Sequence, residues 1–224
     1  NASTETYLLR EEDDFLLNAD DFLSACTEDI DLVIICNPNN PTSSAIQTGD
    51  MERIIRECKK RNIFVMIDET YVEFAPCIEE ITAIPLTKRY DNLMVIRGVS
   101  KFYAAPGLRF GYGITSSEAF LKSLHQHQNP WSLNSVGAYT GELMLKDTDY
   151  FRETRALILS ERERMFARLS HMDGYKPYAA YGNFILVRIL KEGLTSFDVF
   201  EAAIKNRLMI RDCSSFESLT GEYI

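Results

Sequence analysis

The chain has 224 residues, with 24 Lys and Arg against 33 Asp and Glu for a net charge of −9, and it is 46% hydrophobic. These totals allow one large globular domain or two small ones and exclude a general nucleic-acid surface, which needs a basic stripe. No apolar run approaches the ~20 residues that a membrane helix requires, so no membrane span is expected. Short apolar runs then alternate with amphipathic ones. Residues 31–36 (DLVIIC), 63–68 (IFVMID) and 93–98 (LMVIRG) are predicted as strands buried on both faces. Residues 48–62 separate the first two. There Met51, Ile54, Ile55 and Cys58 recur at helical spacing, with Thr48 placed to cap the helix. Strand, helix, strand at this size predicts a parallel sheet. Residues 109–114 add a further strand, and 116–128 and 134–146 are predicted helices.

A long helix follows over 149–172, alternating charged and apolar groups as a half-exposed helix should. After Asp173-Gly174 come a strand at 182–189, a helix at 196–207 and a strand at 208–213. The expected organisation is a large domain over 1–148, a connecting helix over 149–173 and a smaller α+β lobe over 174–224. Cys26, Cys36, Cys58, Cys77 and Cys213 are scattered and form no Cys-x-x-Cys pair. That pattern points to reduced thiols and a cytoplasmic location. His125, His127 and His171 show no metal-ligand spacing, so no metal is expected.

Three groups of chemistry-bearing residues fall at the carboxyl ends of predicted parallel strands, where open α/β sheets bind ligands. The first strand is followed by Asn-Pro-Asn-Asn-Pro-Thr (37–42). The second ends in Asp68-Glu69-Thr70-Tyr71. The third leads to Ser100-Lys101, with Arg109 beyond. A lysine beside a cleft can form a Schiff base with an aldehyde. An aspartate at a strand end can keep a heteroaromatic nitrogen protonated. An asparagine and a tyrosine can hydrogen-bond a ring hydroxyl, and an arginine with a serine can hold a phosphate. Together these are the requirements of pyridoxal 5′-phosphate. Each group also has a plainer reading. The Asn-Pro stretch can be only a turn, Asp68 can cap a helix, and Tyr71 can simply pack. Arg109 can pair with a surface acid, and Arg211 with the adjacent Asp212. Glu69 and Glu73 are expected as solvent or cap charges, and Trp131 in a core or an interface.

The motifs NPNNPT, DETY and SKFYAAPGLRFGY, in this order, resemble the class I/II aminotransferase family of fold-type I pyridoxal-phosphate enzymes. Within it they are most similar to the histidinol-phosphate aminotransferase and threonine-phosphate decarboxylase branch. Residues 182–189 (GNFILVRI) and 210–216 (IRDCSSF) add to the likeness and lean toward the decarboxylase side. The resemblance implies an α/β fold of three layers, a parallel-rich sheet with helices on both faces. It implies Lys101 as the Schiff-base lysine and proton shuttle, Asp68 on the pyridinium nitrogen, and Tyr71 and Asn40 on the ring oxygen. Ser100 and Arg109 correspond to phosphate ligands. Arg211 corresponds to an arginine near the substrate's anionic end, with Arg188 a further substrate-binding candidate. The implied activity is amino-group transfer on an amino acid or amino-acid phosphate, in a homodimer. Decarboxylation of a phosphorylated amino acid is the close alternative. A non-catalytic module of a larger polypeptide is the alternative of another class, because the resemblance also implies further segments before residue 1 and after residue 224. The family has Gly where this chain has Ser43, and a Ser or Thr where it has Gly98.

Overall fold

The computed structural model describes residues 3–216 and 219–224. Its main sheet has four strands in the order β1 (Leu32–Cys36), β2 (Phe64–Asp68), β3 (Leu93–Gly98) and β4 (Gly111–Ile114). The first three are parallel and β4 is antiparallel to β3. Helix α1 (Ala19–Ala25) precedes β1, and α2 (Thr48–Lys60) connects β1 to β2. Met51, Ile54, Ile55 and Cys58 of α2 are fully buried. They pack against Val33, Ile35, Val65, Ile67, Leu93 and Val95, the side chains on one face of the sheet. Burying each of the larger side chains contributes about 1.5–3 kcal/mol, which is why this face carries the largest core. Gln47, not Thr48, is the residue before α2, and it makes no side-chain cap. Thr48 Oγ1 instead donates to the carbonyls of Glu79 and Thr82.

The opposite face departs from the expectation of two-sided burial. Leu32 and Ile34 are 46% and 63% exposed, and Phe64, Met66, Met94 and Ile96 are half-buried. Helix α3 (Glu118–His127) meets this face through Phe120, whose ring stacks on Phe64 with centroids 4.7 Å apart. Helix α4 (Ser135–Lys146) follows, capped by Asn134. Trp131 is 88% exposed, so within this chain it belongs to no core.

Helix α5 (Thr148–Ser170) has 23 residues and leads to a second sheet of β5 (Tyr175–Pro177) and β6 (Val187–Ile189). Helix α6 (Ser196–Lys205) completes it, with a capping box between Thr195 and Asp198. The predicted strand at 182–189 contracts to β6. The one predicted at 208–213 has no ladder, and the Cys213 amide bonds the Tyr223 carbonyl instead. The N-terminal stretch, expected with the large domain, crosses to this end of the molecule. Phe15 is buried among Tyr178, Leu186, Cys213 and Tyr223, and Glu11 pairs with Arg188.

Candidate active site

Each sheet end is fixed by a buried residue next to the polar one it presents. After β1, the fully buried Asn37 uses its whole amide. Its Nδ2 donates to the Ile46 and Ile81 carbonyls at 3.2 and 2.9 Å, and its Oδ1 accepts from the Ile46 amide at 2.8 Å. The loop that follows is tightened by Asn39 Nδ2, which donates to Thr42 Oγ1 at 2.8 Å. Asn40 is left exposed at the loop tip.

After β2, Asp68 lies in register with Cys36 on one side and Ile96 on the other. Its Oδ1 accepts from the Thr70 amide at 2.9 Å and from the Thr70 hydroxyl. These bonds make an Asx turn and not the helix cap that the sequence allowed, since the next helical turn starts after Tyr71 with no side-chain cap, and they use one oxygen. Among the described residues Oδ2 has no partner, so one carboxylate oxygen is free for a ligand. Val72 and Phe74 are buried and anchor the next turn, which holds Tyr71 half-exposed between them and the sheet end. Asn40 Nδ2 donates to Tyr71 Oη at 3.4 Å.

After β3, Phe102 is the anchor. It is buried against Phe74, Phe151, Tyr103 and Tyr150, and its carbonyl accepts from Tyr150 Oη at 3.0 Å. With Phe102 turned inward, Lys101 is exposed and its Nζ stands 5.5 Å from the Tyr71 ring centroid. The antiparallel return of β4 brings Arg109 back toward Ser100, since the Val99 amide bonds the Phe110 carbonyl between them. Arg109 has φ +51°, and its Nη1 donates to the Pro106 carbonyl at 3.0 Å.

Beneath these ends runs a buried ionic cluster. Glu69 is fully buried and Glu73 nearly so, which corrects their expected role as solvent charges. Arg97 donates to Glu69 Oε2 through Nε and Nη2 at 3.0 and 2.7 Å, and through Nη2 to Thr82 Oγ1 at 3.0 Å. Thr82 Oγ1 and the Ala83 amide complete the shell of Glu69. Burial pushes the Glu73 carboxyl up, against the pull of Arg97.

A cavity of about 420 Å³ opens beside Asn40. Pro41, Phe184, Leu186, Arg211 and Phe216 are among its lining residues. The Arg211 guanidinium sits 5.4 Å from the Phe216 ring centroid and donates to Ser215 Oγ at 2.9 Å. Asp212 is engaged elsewhere, accepting from Ser196 Oγ and from the amide and hydroxyl of Ser214. Arg188 is not in this cavity. Its guanidinium bonds Glu11, holding that carboxyl down at about 2. The structure therefore brings Asn40, Tyr71 and Lys101 together, with Asp68 in line beside them and Arg211 across the cavity. It leaves Arg188 in a link between the N-terminal stretch and the second sheet. Phe184, whose ring meets Tyr71 edge-on at 5.1 Å, was not singled out as a site residue by sequence reasoning. An aromatic within a predicted strand looks like any core position.

The sequence profile described as aminotransferase class I and II matches residues 2–222. The chain belongs to this family. It is 33% identical over 215 residues to the threonine-phosphate decarboxylase of Salmonella typhimurium, covering 96% of this chain and 57% of that protein. It is 32% identical over 210 residues to the histidinol-phosphate aminotransferase of Methanopyrus kandleri, covering 94% and 52%. The crystal structure of the histidinol-phosphate aminotransferase from Clostridium acetobutylicum superposes with a TM-score of 0.88 at 30% identity, covering 96% of this chain and 63% of that one. The chain thus spans less than two thirds of the relatives it matches. The fold is the fold-type I α/β arrangement. Its donor set fits pyridoxal phosphate: a strand-end carboxylate with one oxygen free, a phenol and an amide converging at 3.4 Å, and an amine above the same phenol ring.

Proposed function

We propose that the protein of which this chain forms part is a pyridoxal-phosphate aminotransferase acting on an amino acid or amino-acid phosphate. When bound, the cofactor supplies an aldehyde carbon for the amino group and a ring that accepts the electron pair left on the substrate's α-carbon. In this reading Asp68 holds a proton at the ring nitrogen. Tyr71 and Asn40 donate to the ring oxygen. Ser100 and Arg109 bind the cofactor phosphate, and Lys101 Nζ moves the proton to and from the α-carbon. Arg211 receives the anionic end of the substrate. Its guanidinium keeps donors free after bonding Ser215, and the Phe216 ring holds it in place. Arg188 is assigned no substrate contact.

The observation that carries the reading is the convergence of Lys101, Tyr71 and Asn40 beside Asp68. Decarboxylation of a phosphorylated amino acid is the second reading, favoured by the Salmonella relative's name. We also place the protein in the cytoplasm as a homodimer, which sedimentation at micromolar concentration would test. The deciding experiment uses the full-length polypeptide. Borohydride reduction with pyridoxal phosphate should fix a pyridoxyl group on the peptide containing Lys101. Label found chiefly on Lys88 or Lys122 would refute the assignment. Product analysis with histidinol phosphate and threonine phosphate then separates amino transfer from loss of carbon dioxide.

A further inference from the structure

Ser43 stands where the resemblance expects Gly, and its backbone shows why a Gly would be comfortable: φ is +58°. A non-glycine residue there is held in the left-handed region at a cost, and such strain persists when surrounding contacts over-determine it. Those contacts are present. Ser43 is fully buried. Its amide donates to the Asn39 carbonyl at 2.8 Å, and its carbonyl accepts from the Tyr181 amide at 2.8 Å. Its Oγ accepts from the Gly182 amide at 2.8 Å. The residue thus staples the loop carrying Asn40 to the segment at 181–184, across more than half the chain.

That segment is fixed from its other side as well. Arg162 of α5, half-buried, donates from Nη1 to the Gly182 carbonyl at 2.8 Å and to the Phe74 carbonyl at 2.9 Å. Tyr181 packs on the cluster of Ala45, Val72, Ala75 and Ile81. A side chain at Gly182 would be tight, since a Cβ there would lie 3.0 Å from the Phe184 ring and 3.1 Å from Ser43 Oγ, so these neighbours would have to give by a few tenths of an ångström. Two residues on from the staple, Phe184 meets Tyr71 edge-on and walls the cavity shared by Asn40 and Arg211.

We propose that Ser43 is a positioning residue: through its hydroxyl bond to Gly182 it sets Phe184, and so fixes the wall between Tyr71 and the Arg211 cavity where the substrate lies. The kinetic part of this proposal rests on the function proposed above. The test compares Ser43→Gly with Ser43→Ala in the full-length protein. Both remove the hydroxyl, but glycine also relieves the positive φ, so Ser43→Gly should melt above Ser43→Ala. If Ser43 were merely structural, activity would follow stability and Ser43→Gly would keep its KM. The expected result is a KM raised roughly five- to tenfold in both variants, about the effect of one hydrogen bond. Turnover should fall less, because Lys101 and Asp68 lie on other segments. Hydrogen exchange over residues 180–186 should quicken in both variants. A wild-type KM in Ser43→Gly overturns the proposal, and so does unchanged exchange over 180–186. If the wild-type protein takes up no pyridoxal phosphate, the cofactor reading falls, and the exchange measurement alone decides the staple.

Discussion

Replacing Arg97 by Met should destabilise the protein severely, and the reason lies in what it leaves behind. Glu69 is fully buried, and the Arg97 side chain that neutralises it is itself only 14% exposed. Thr82 Oγ1 and the Ala83 amide would remain as hydrogen-bond donors to Glu69. Neither carries a charge. Glu73, 3.8 Å from the same guanidinium, would lose its nearest cation too. Removing one partner of a buried ion pair typically costs about 3–5 kcal/mol. In a protein of this size that lowers the thermal midpoint by about 6–20 °C. A second variant separates charge from packing. Glu69→Gln added to Arg97→Met keeps a carbonyl acceptor for Thr82 and Ala83 but removes the stranded charge, so the double variant should recover a large part of the loss. Lys146→Ala serves as the control, because its pair with Glu142 is exposed and should leave the midpoint unchanged. The assay is thermal unfolding followed by far-ultraviolet circular dichroism at neutral pH. An Arg97→Met midpoint within about 2 °C of wild type, under ~1 kcal/mol, would refute the reasoning. A double variant less stable than the single one would do the same.

Asp68→Ala in the full-length protein should lower turnover by at least about a thousandfold, since an unprotonated ring is a poor electron acceptor. The loss of the Asp68–Thr70 turn bonds should cost only about 1 kcal/mol, and turnover near wild type would show that Asp68 holds something else. Arg211→Met should raise KM for a phosphate-bearing substrate about 10–100-fold. It should scarcely change KM for an analogue without the terminal anion; equal effects on both would remove Arg211 from the anion site. Glu11→Gln should be less stable than wild type at neutral pH. The Glu11 carboxyl is held down at about 2 by Arg188, below its unfolded value of about 4.3. Its contribution is therefore complete above that unfolded value and lost as pH falls toward 2. The midpoint gap should close over that interval, and a gap independent of pH would mean that the ion pair is not its source.

The sheet ends were legible because their signals are local. An apolar run followed by Asp68-Glu69-Thr70-Tyr71 fixes both a strand and the side chains at its carboxyl end, and β2 ends at Asp68 as expected. What sequence could not reveal was pairing across distance. Glu69 and Glu73 looked like solvent charges because Arg97, which pairs with Glu69 and stands 3.8 Å from Glu73, lies on another strand. Helix α1 went unpredicted: it has seven residues, so its apolar stripe of Ala19, Phe22 and Leu23 spans barely one repeat, although Asn18 caps it by accepting from the Asp20 and Asp21 amides. Residues 208–213 have strand-like composition but no neighbouring ladder. Ser43 did announce itself, as a departure from Gly, but the Gly182 amide that accounts for it lies 139 residues away.

The crossing of the N-terminal stretch has a consequence for biosynthesis. Phe15 packs on Tyr178 and Tyr223, and Glu11 bonds Arg188, so this stretch waits for partners made more than 160 residues later. At about 5–20 residues per second, the stretch between them takes roughly 10–40 s to make. Throughout that interval an aromatic ring and a carboxylate destined for burial stand in water with no partner. The β1–β2–β3 core, made within the next hundred residues, can close long before that stretch finds its partners.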